Sequence, residues 1–353
     1  MTRETQAPPP AVDPAAPPRR AASRRVAGGR PALGIVAATL LLFLFSWIVQ
    51  PQSVSHSSLL GMLPFAGILA IAAMGQTLVI QQGGIDLSVP GMLSLTVVLM
   101  TRFPNGDSGK LVPALLISLA ALLAAGTLNG ILVSRVGITS IVTTLGMNAL
   151  LYGAVIQISG GTPRSTTARL HNFATGTVLG IPVPVVVAAV LALIVWFAVK
   201  RMVVGRRFEA VGASSIAARA AGLGAPRYRL GAYVGAALLY WAAGVLLAGV
   251  VETPSVFQGD SYLLPSVASV VLGGTSLLGG RGSAIASAVA ALFLSQLDQL
   301  VLTTGVRTAV QNLVQAGVLA IGIAIYSVPW GRVGEWARRT RAGVTGERSA
   351  DAS

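Results

Sequence analysis

The sequence predicts an all-α polytopic membrane protein, with about ten transmembrane helices and both termini cytoplasmic. Three observations predict it. The chain is 54% hydrophobic and 10% charged, with a mean hydropathy of +0.75. A soluble domain carries about 25% charged residues, so this chain lacks the polar material for a water-facing surface. The apolar residues also come in long uncharged runs, each near the roughly 20 residues that cross a bilayer. Finally, the basic residues cluster at one set of loops, as they do on a cytoplasmic face.

The uncharged runs cover about 32–50, 58–80, 87–101, 111–134, 140–158, 181–199, 230–251, 262–279, 283–303 and 308–329, the third and eighth having the least sharp ends. Continuous Ala, Leu, Val and Ile at this length means helices, because barrel strands alternate and only these two structures satisfy their backbone in lipid. With ten spans and the N-terminus inside, 20 of 25 basic residues fall on the cytoplasmic side. An odd number of spans would split the two basic tails across the membrane. The net charge of +14 is thereby explained without nucleic acid.

Residues 1–30 hold six prolines and six arginines and read as a disordered basic cytoplasmic tail. The membrane domain runs over 31–330, and 331–353 form a polar cytoplasmic tail. Glycine is abundant and recurs within the spans, including Gly126/Gly130 and Gly231/Gly235 at GxxxG spacing. Such residues let helices approach closely.

The longest polar interruption is the cytoplasmic loop 200–229. It carries seven basic residues against one acid, Glu209. Its middle, Phe208–Leu223, reads as a short Ala-rich helix closed by Gly222 and Gly224, a surface suited to a partner.

Two glycine-rich stretches follow different logic. In QQGGIDLSVPG (81–91), Gly83 and Gly84 break a helix, Asp86 or Ser88 can cap the next one, and Pro90 suits its first turn. Either this is a capped turn, or the break lines a pathway. In VLGGTSLLGGRGS (271–283), Thr275 and Ser276 lie between glycine pairs ahead of Arg281. The absence of a GxxxxGK[ST] pattern argues against a nucleotide site and for a close-packed hinge. Polar side chains also sit inside spans: Asn129, Asn148, Gln76 and Gln157; Ser295, Asp298 and Gln299 on one face; Thr308, Gln311, Asn312 and Gln315 on another. They suit either contact with a polyhydroxylated neutral solute or hydrogen bonds between helices.

The chain has no cysteine and two histidines, and no HExxH or GxSxG pattern. No metal centre, bound cofactor or enzyme activity is expected, and energy for transport would have to come from another subunit.

The stretches GGIDLSVPGMLSL, NGILVSRVGITSIVTTLGMNALLYGAVIQISGG, GRRFEAVGASSIAARAAGL and VLGGTSLLGGRGSAIAS resemble, in order and spacing, the permease subunits of bacterial ATP-binding cassette importers of the ribose/xylose/arabinose type. The likeness spans about 58–327. It implies a lipid-embedded subunit of the inner membrane, paired with a second permease copy or a paralogue. A cytoplasmic ATPase would hold ATP and magnesium, and a periplasmic or lipid-anchored binding protein would deliver sugar. It also implies that Arg206, Arg207, Glu209, Ala217, Ala218, Arg219 and Gly222 form the segment that docks on the ATPase. Gly83, Gly84, Asp86, Ser88, Asn129, Asn148, Thr275, Ser276, Ser295, Asp298, Gln299, Gln311 and Gln315 are the candidates for the pathway or its gate. The same machinery with another small polar cargo, such as a nucleoside, and a partner-independent transporter are the alternatives. One departure is visible: many relatives carry acids just after the tyrosine that precedes the eighth span, where this chain has Tyr262-Leu263-Leu264.

Overall fold

A computed structural model describes residues 30–162, 164–305, 313 and 316–317. The tails and nearly all of the candidate span 308–329, with Gln311 and Gln315, lie outside the described residues. The described chain is helical throughout its membrane part: α1 (Arg30–Val49), α2 (His56–Gln81), α3 (Val89–Arg102), α4 (Leu111–Ile131), α5 (Ser140–Ser159), α6 (Ala168–Thr175), α7 (Val183–Lys200), α8 (Val203–Ala213), α9 (Ser215–Ala220), α10 (Ala225–Val250), α11 (Leu263–Leu272) and α12 (Ala284–Thr303). A small antiparallel hairpin, β1 (Thr177–Val178) and β2 (Ile181–Pro182), separates α6 from α7. Leu179 and Gly180 both take positive φ there, the geometry of a tight two-residue hairpin turn.

Among the described residues, six helices are long and apolar enough to cross a membrane, and three more apolar helices are shorter: Leu33–Val49, Val89–Arg102 and Asp260–Leu272. These correspond to nine of the ten expected spans. Three boundaries need correction. The seventh span starts at Ala225 rather than 230, so Arg227 and Arg229 of the expected loop lie in its first turns. The third span starts at Val89 rather than 87, because residues 82–88 form an irregular turn. The eighth stops at Leu272 rather than 279. Gly274 takes φ +77° directly after the helix, and the chain continues as a turn with Leu278 93% exposed.

Helices α2 and α10 form the centre. α2 packs on α7, α10, α11 and α12, and α10 packs on α2, α3 and α4. α10 is buried through small residues, Ala232, Ala236, Ala237, Ala243 and Gly244, as close helix contact in lipid requires. The outer helices present their large apolar side chains outward, with Leu116 62%, Leu150 68% and Leu193 59% exposed. That pattern is the reverse of a soluble protein and fits a lipid solvent. Polar links between helices are few and specific: Thr77 on α2 bonds Ser287 on α12 at 2.8 Å, and Trp241 on α10 donates to Ser118 on α4 at 2.9 Å.

The two GxxxG pairs have different fates. A Cβ on Gly126 would lie 2.9 Å from the Tyr233 carbonyl oxygen, whereas a Cβ on Gly231 would meet nothing within 4 Å. The same substitution should therefore have opposite signs at the two sites. Gly231→Ala is expected to stabilise the chain by up to about 1 kcal/mol through helix propensity. Gly126→Ala is expected to destabilise it by about 1–3 kcal/mol through overpacking against α10. Thermal unfolding in detergent, read on both variants, checks the pair.

Candidate functional site

A broken helix organises the site. α2 ends at Gln81, and Gly83 turns the chain at φ +77°. α3 begins at Val89 with Pro90 in its first turn, where a missing N–H costs nothing. The N–H groups of Gln82, Gly83 and Gly84 still reach the Val79 and Ile80 carbonyls, but those from Ile85 to Ser88 have no helical partner, and a buried orphan is costly. One face of α5 supplies the acceptors. Ile85 N–H donates to Ser140 Oγ at 3.1 Å, Leu87 N–H to Thr144 Oγ1 at 2.9 Å, and Gly91 N–H to Asn148 Oδ1 at 2.8 Å. Ser140, Thr144 and Asn148 are spaced four apart, so a single helix face serves the whole break.

Asp86 closes the break from within. It is fully buried, and its Oδ1 accepts from the Ser88 N–H at 2.9 Å and from the Ser88 hydroxyl. Asn129 on α4 donates to Ser88 Oγ at 3.1 Å. With the Gln76 amide oriented to satisfy both ends, its oxygen accepts from the Asp86 N–H and its nitrogen donates to the Asp86 carbonyl, each at 3.2 Å, and to Tyr240 Oη at 2.9 Å. α2, α4, α5 and α10 thus converge on one turn. Among the described residues, Asp86 Oδ2, Asn129 Oδ1 and the Tyr233 hydroxyl are buried without a partner.

A second junction lies at the same end of the bundle. The Gly280 N–H donates to the Gln81 carbonyl at 2.8 Å, and Gln82 Nε2 donates to the Phe208 carbonyl at 2.8 Å. A Cβ on Gly212 would collide with the Gln81 carbonyl and lie 3.1 Å from the Gly280 nitrogen. The end of α2, the 273–283 turn and α8 therefore meet backbone to backbone. Thr275 sits in this turn with its hydroxyl buried and unpartnered, and Ser276 N–H donates to the Arg281 carbonyl at 2.9 Å.

The loop expected as one helix over 208–223 is two, because Ser214 is extended and caps α9 through the Ala217 N–H at 3.2 Å. α9 ends with Gly222 at φ +77°, and the Leu223 N–H returns to the Ala218 carbonyl at 2.9 Å, a Schellman stop. Ala218 itself is buried against Val211 and Ala225, so it supports the segment instead of facing outward. Glu209 is paired with Lys200. Arg206, Arg207, Ala217, Arg219 and Gly222 are exposed, and so is Ile216, at 74%, a residue the sequence reading passed over.

The structure unites Gly83, Gly84, Asp86, Ser88, Asn129 and Asn148 around the break. It does not bring Ser295, Asp298 and Gln299 to them. These lie on α12, which packs on α1, α2, α7 and α11. Ser295 is buried, and its neighbour Gln296 is fully buried with neither amide atom partnered, a polar site that the spacing of its neighbours did not reveal. Ser140 and Thr144 were missed as well. Their four-residue spacing with Asn148 was the available signal.

Residues 58–323 match the family model described as "Branched-chain amino acid transport system / permease component". The chain belongs to that family. Among curated relatives, the permease is 30% identical over 293 residues to the ribose import permease protein of Escherichia coli, covering 82% of this chain and 91% of that protein. It is 32% identical over 278 residues to the fructose import permease protein of Bifidobacterium longum, covering 77% of each. It is 32% identical over 304 residues to a probable ABC transporter permease protein of Sinorhizobium fredii, covering 85% and 90%. No solved structure matches the chain. As a permease component it is a multi-pass membrane transport subunit, not an enzyme.

Asp86→Ala would orphan the Ser88 N–H and hydroxyl in the protein interior, at an expected cost of about 1–3 kcal/mol. Thr144→Val orphans the Leu87 N–H and should cost a similar amount. Gln157→Ala, on an exposed position of α5, should change little. Unfolding midpoints of the three purified variants in one detergent rank the effects; equal midpoints would remove the break from its supporting role.

Proposed function

We propose that this permease is the membrane-spanning subunit of an ATP-driven importer that carries a monosaccharide, such as ribose, across a bacterial inner membrane by alternating access. The ribose and fructose import permeases among its relatives support the cargo class. The observation that carries the mechanism is the backbone contact between α8 and the end of α2. An exposed surface segment is thereby joined to the start of the break that holds Asp86. The chain binds no nucleotide in this reading. A cytoplasmic ATPase holds ATP and magnesium and docks on the outward residues of α8 and α9, Arg206, Arg207, Ile216, Ala217, Arg219 and Gly222. A sugar-binding protein feeds the opposite face, and a second permease copy completes the passage within the lipid.

The buried members of the polar cluster act as anchors in this scheme. Asp86, Ser88 and Asn129 hold the break at a fixed geometry, so movement of α8 is passed to α3 as a displacement of a rigid turn. Ten spans and cytoplasmic termini complete the topology, supported by the placement of the basic residues. A green fluorescent protein fused to the C-terminus should fluoresce and an alkaline phosphatase fused there should be inactive; the opposite pattern excludes this topology.

Two variants separate docking from transmission. Ala217→Trp places bulk on the exposed face of α9 and should abolish both co-purification of the ATPase and sugar uptake, with membrane insertion unchanged. Gly212→Leu forces α8 off the end of α2 and should retain the ATPase while uptake falls by about tenfold or more, the scale of losing roughly 1.4 kcal/mol of coupling. Full uptake in both variants would exclude α8–α9 as the transmitting segment.

A further inference from the structure

A pocket of about 220 Å³ opens beside the broken helix, its lining including Gln82, Thr139, Ser140, Arg229 and Tyr233. A water's share of liquid volume is about 30 Å³, so the space suits an organic solute better than a single solvent molecule. Three features give it a sign. Arg229 stands on its wall, half-buried, with no carboxylate in the lining. The twenty-residue helix α5 starts in the wall, and its N-cap Thr139 makes no side-chain bond to the first turn, so that turn's amides keep their positive end open. The Tyr233 hydroxyl, one turn along α10 from Arg229, is buried in a residue only 2% exposed, makes no hydrogen bond of good geometry, and stands near enough to Ser140 and the Asp86 carboxylate to interact with both. The Gln82 side-chain carbonyl, in the same lining, is also buried and unpartnered.

We propose that this pocket binds a phosphate ester. A guanidinium and a phenolic hydroxyl from α10, with the N-terminus of α5 in the same lining, match the oxygens of a tetrahedral anion. The Gln82 carbonyl calls for a hydroxyl on the organic part. Two sources present that chemistry on a cytoplasmic face: a soluble sugar phosphate and the glycerol phosphate of an anionic lipid headgroup. Occupancy would tie the end of α2, the start of α5 and α10 together at the break, and so oppose any rearrangement that separates them. The cytoplasmic placement rests on the topology proposed above; the pocket chemistry does not.

The test uses the full-length permease alone in nanodiscs, so binding is read without ATPase or sugar uptake, and a failed uptake assay leaves it untouched. In phosphatidylcholine discs, ribose 5-phosphate is titrated by calorimetry against the native chain, Arg229→Gln, Tyr233→Phe and Arg227→Gln. Loss of the Arg229 contact should weaken binding about tenfold or more, the scale of one charge-assisted hydrogen bond. Tyr233→Phe should weaken it less and raise the unfolding temperature, since it removes an unsatisfied buried hydroxyl. Arg227→Gln should leave binding unchanged. In discs containing phosphatidylglycerol, mass spectrometry of retained lipid reads the second source: retention that is lost in Arg229→Gln, with no ribose 5-phosphate binding, assigns the pocket to a headgroup. If neither probe responds to Arg229→Gln, or if Arg227→Gln has the same effect, the proposal is overturned.

Discussion

The fold turns on one constraint: a chain that leaves helical geometry inside lipid must find a partner for every backbone N–H it frees. Between Gln81 and Val89 this permease frees several, and it answers them with side chains of α5, with Gln76 of α2 and from within the turn itself. Ser140, Thr144 and Asn148 accept in sequence along α5, while Asp86 and Ser88 answer each other. The break is therefore not a soft point. It is a turn over-determined by side chains from α2, α4, α5 and α10, and α3 is short because its first two turns of chain are spent on that geometry.

A second interruption, the 273–283 turn between α11 and α12, reaches the same end of the bundle. Gly280 donates to the Gln81 carbonyl, one residue before α2 gives way. α8 then closes over both through Gly212 and Phe208. Three segments far apart in sequence share one small volume, and glycine is what makes it possible, because the peptides themselves are in contact. Such a junction has little compliance. A side chain at the interface could change rotamer and absorb a displacement, but two peptides in contact cannot. Force applied to α8 must appear at the end of α2.

How much of this was legible in the residues follows from range. Runs of apolar residues are local, and nine of the ten candidate spans appear as apolar helices among the described residues. The break was marked by Gly83, Gly84 and Pro90, whose backbone properties are their own. The acceptors were not marked, because a Ser, Thr or Asn inside a span looks the same whether it bonds its own preceding turn, a neighbouring helix or a solute. Thr144 is within reach of the Ser140 carbonyl as well as the Leu87 N–H, so even its spacing allowed a purely local role. The eighth span was overdrawn for a related reason: Leu277 and Leu278 are apolar, and hydropathy cannot see that Gly274 has already turned the chain. Polar residues on α12 were grouped with the break by type, and only the packing of helices separates them.

The charge on the α8–α9 segment carries a further step. Positive residues beside a membrane hold topology in any polytopic protein, so their presence alone says nothing about a partner. What distinguishes this loop is the way its one acid is used. Glu209 is paired internally with Lys200 at the end of α7. That pair pins α8 to the membrane helix before it, at the root of the loop, and an exposed pair of this kind contributes little stability on its own. Its consequence is geometric: it ties Glu209 back to the end of α7 and leaves Arg201, Arg206, Arg207, Arg219 and Arg227 as exposed charges on a segment that also exposes the small apolar tip of Ile216, Ala217 and Gly222. An apolar tip on a cationic segment is a poor surface for solvent alone and a good one for a groove with an acidic rim. Retention of positive charge would be served equally well by any seven basic residues in any arrangement; in the proposed reading, the capped helix α9 of small residues with its Schellman stop is the surface offered to a partner.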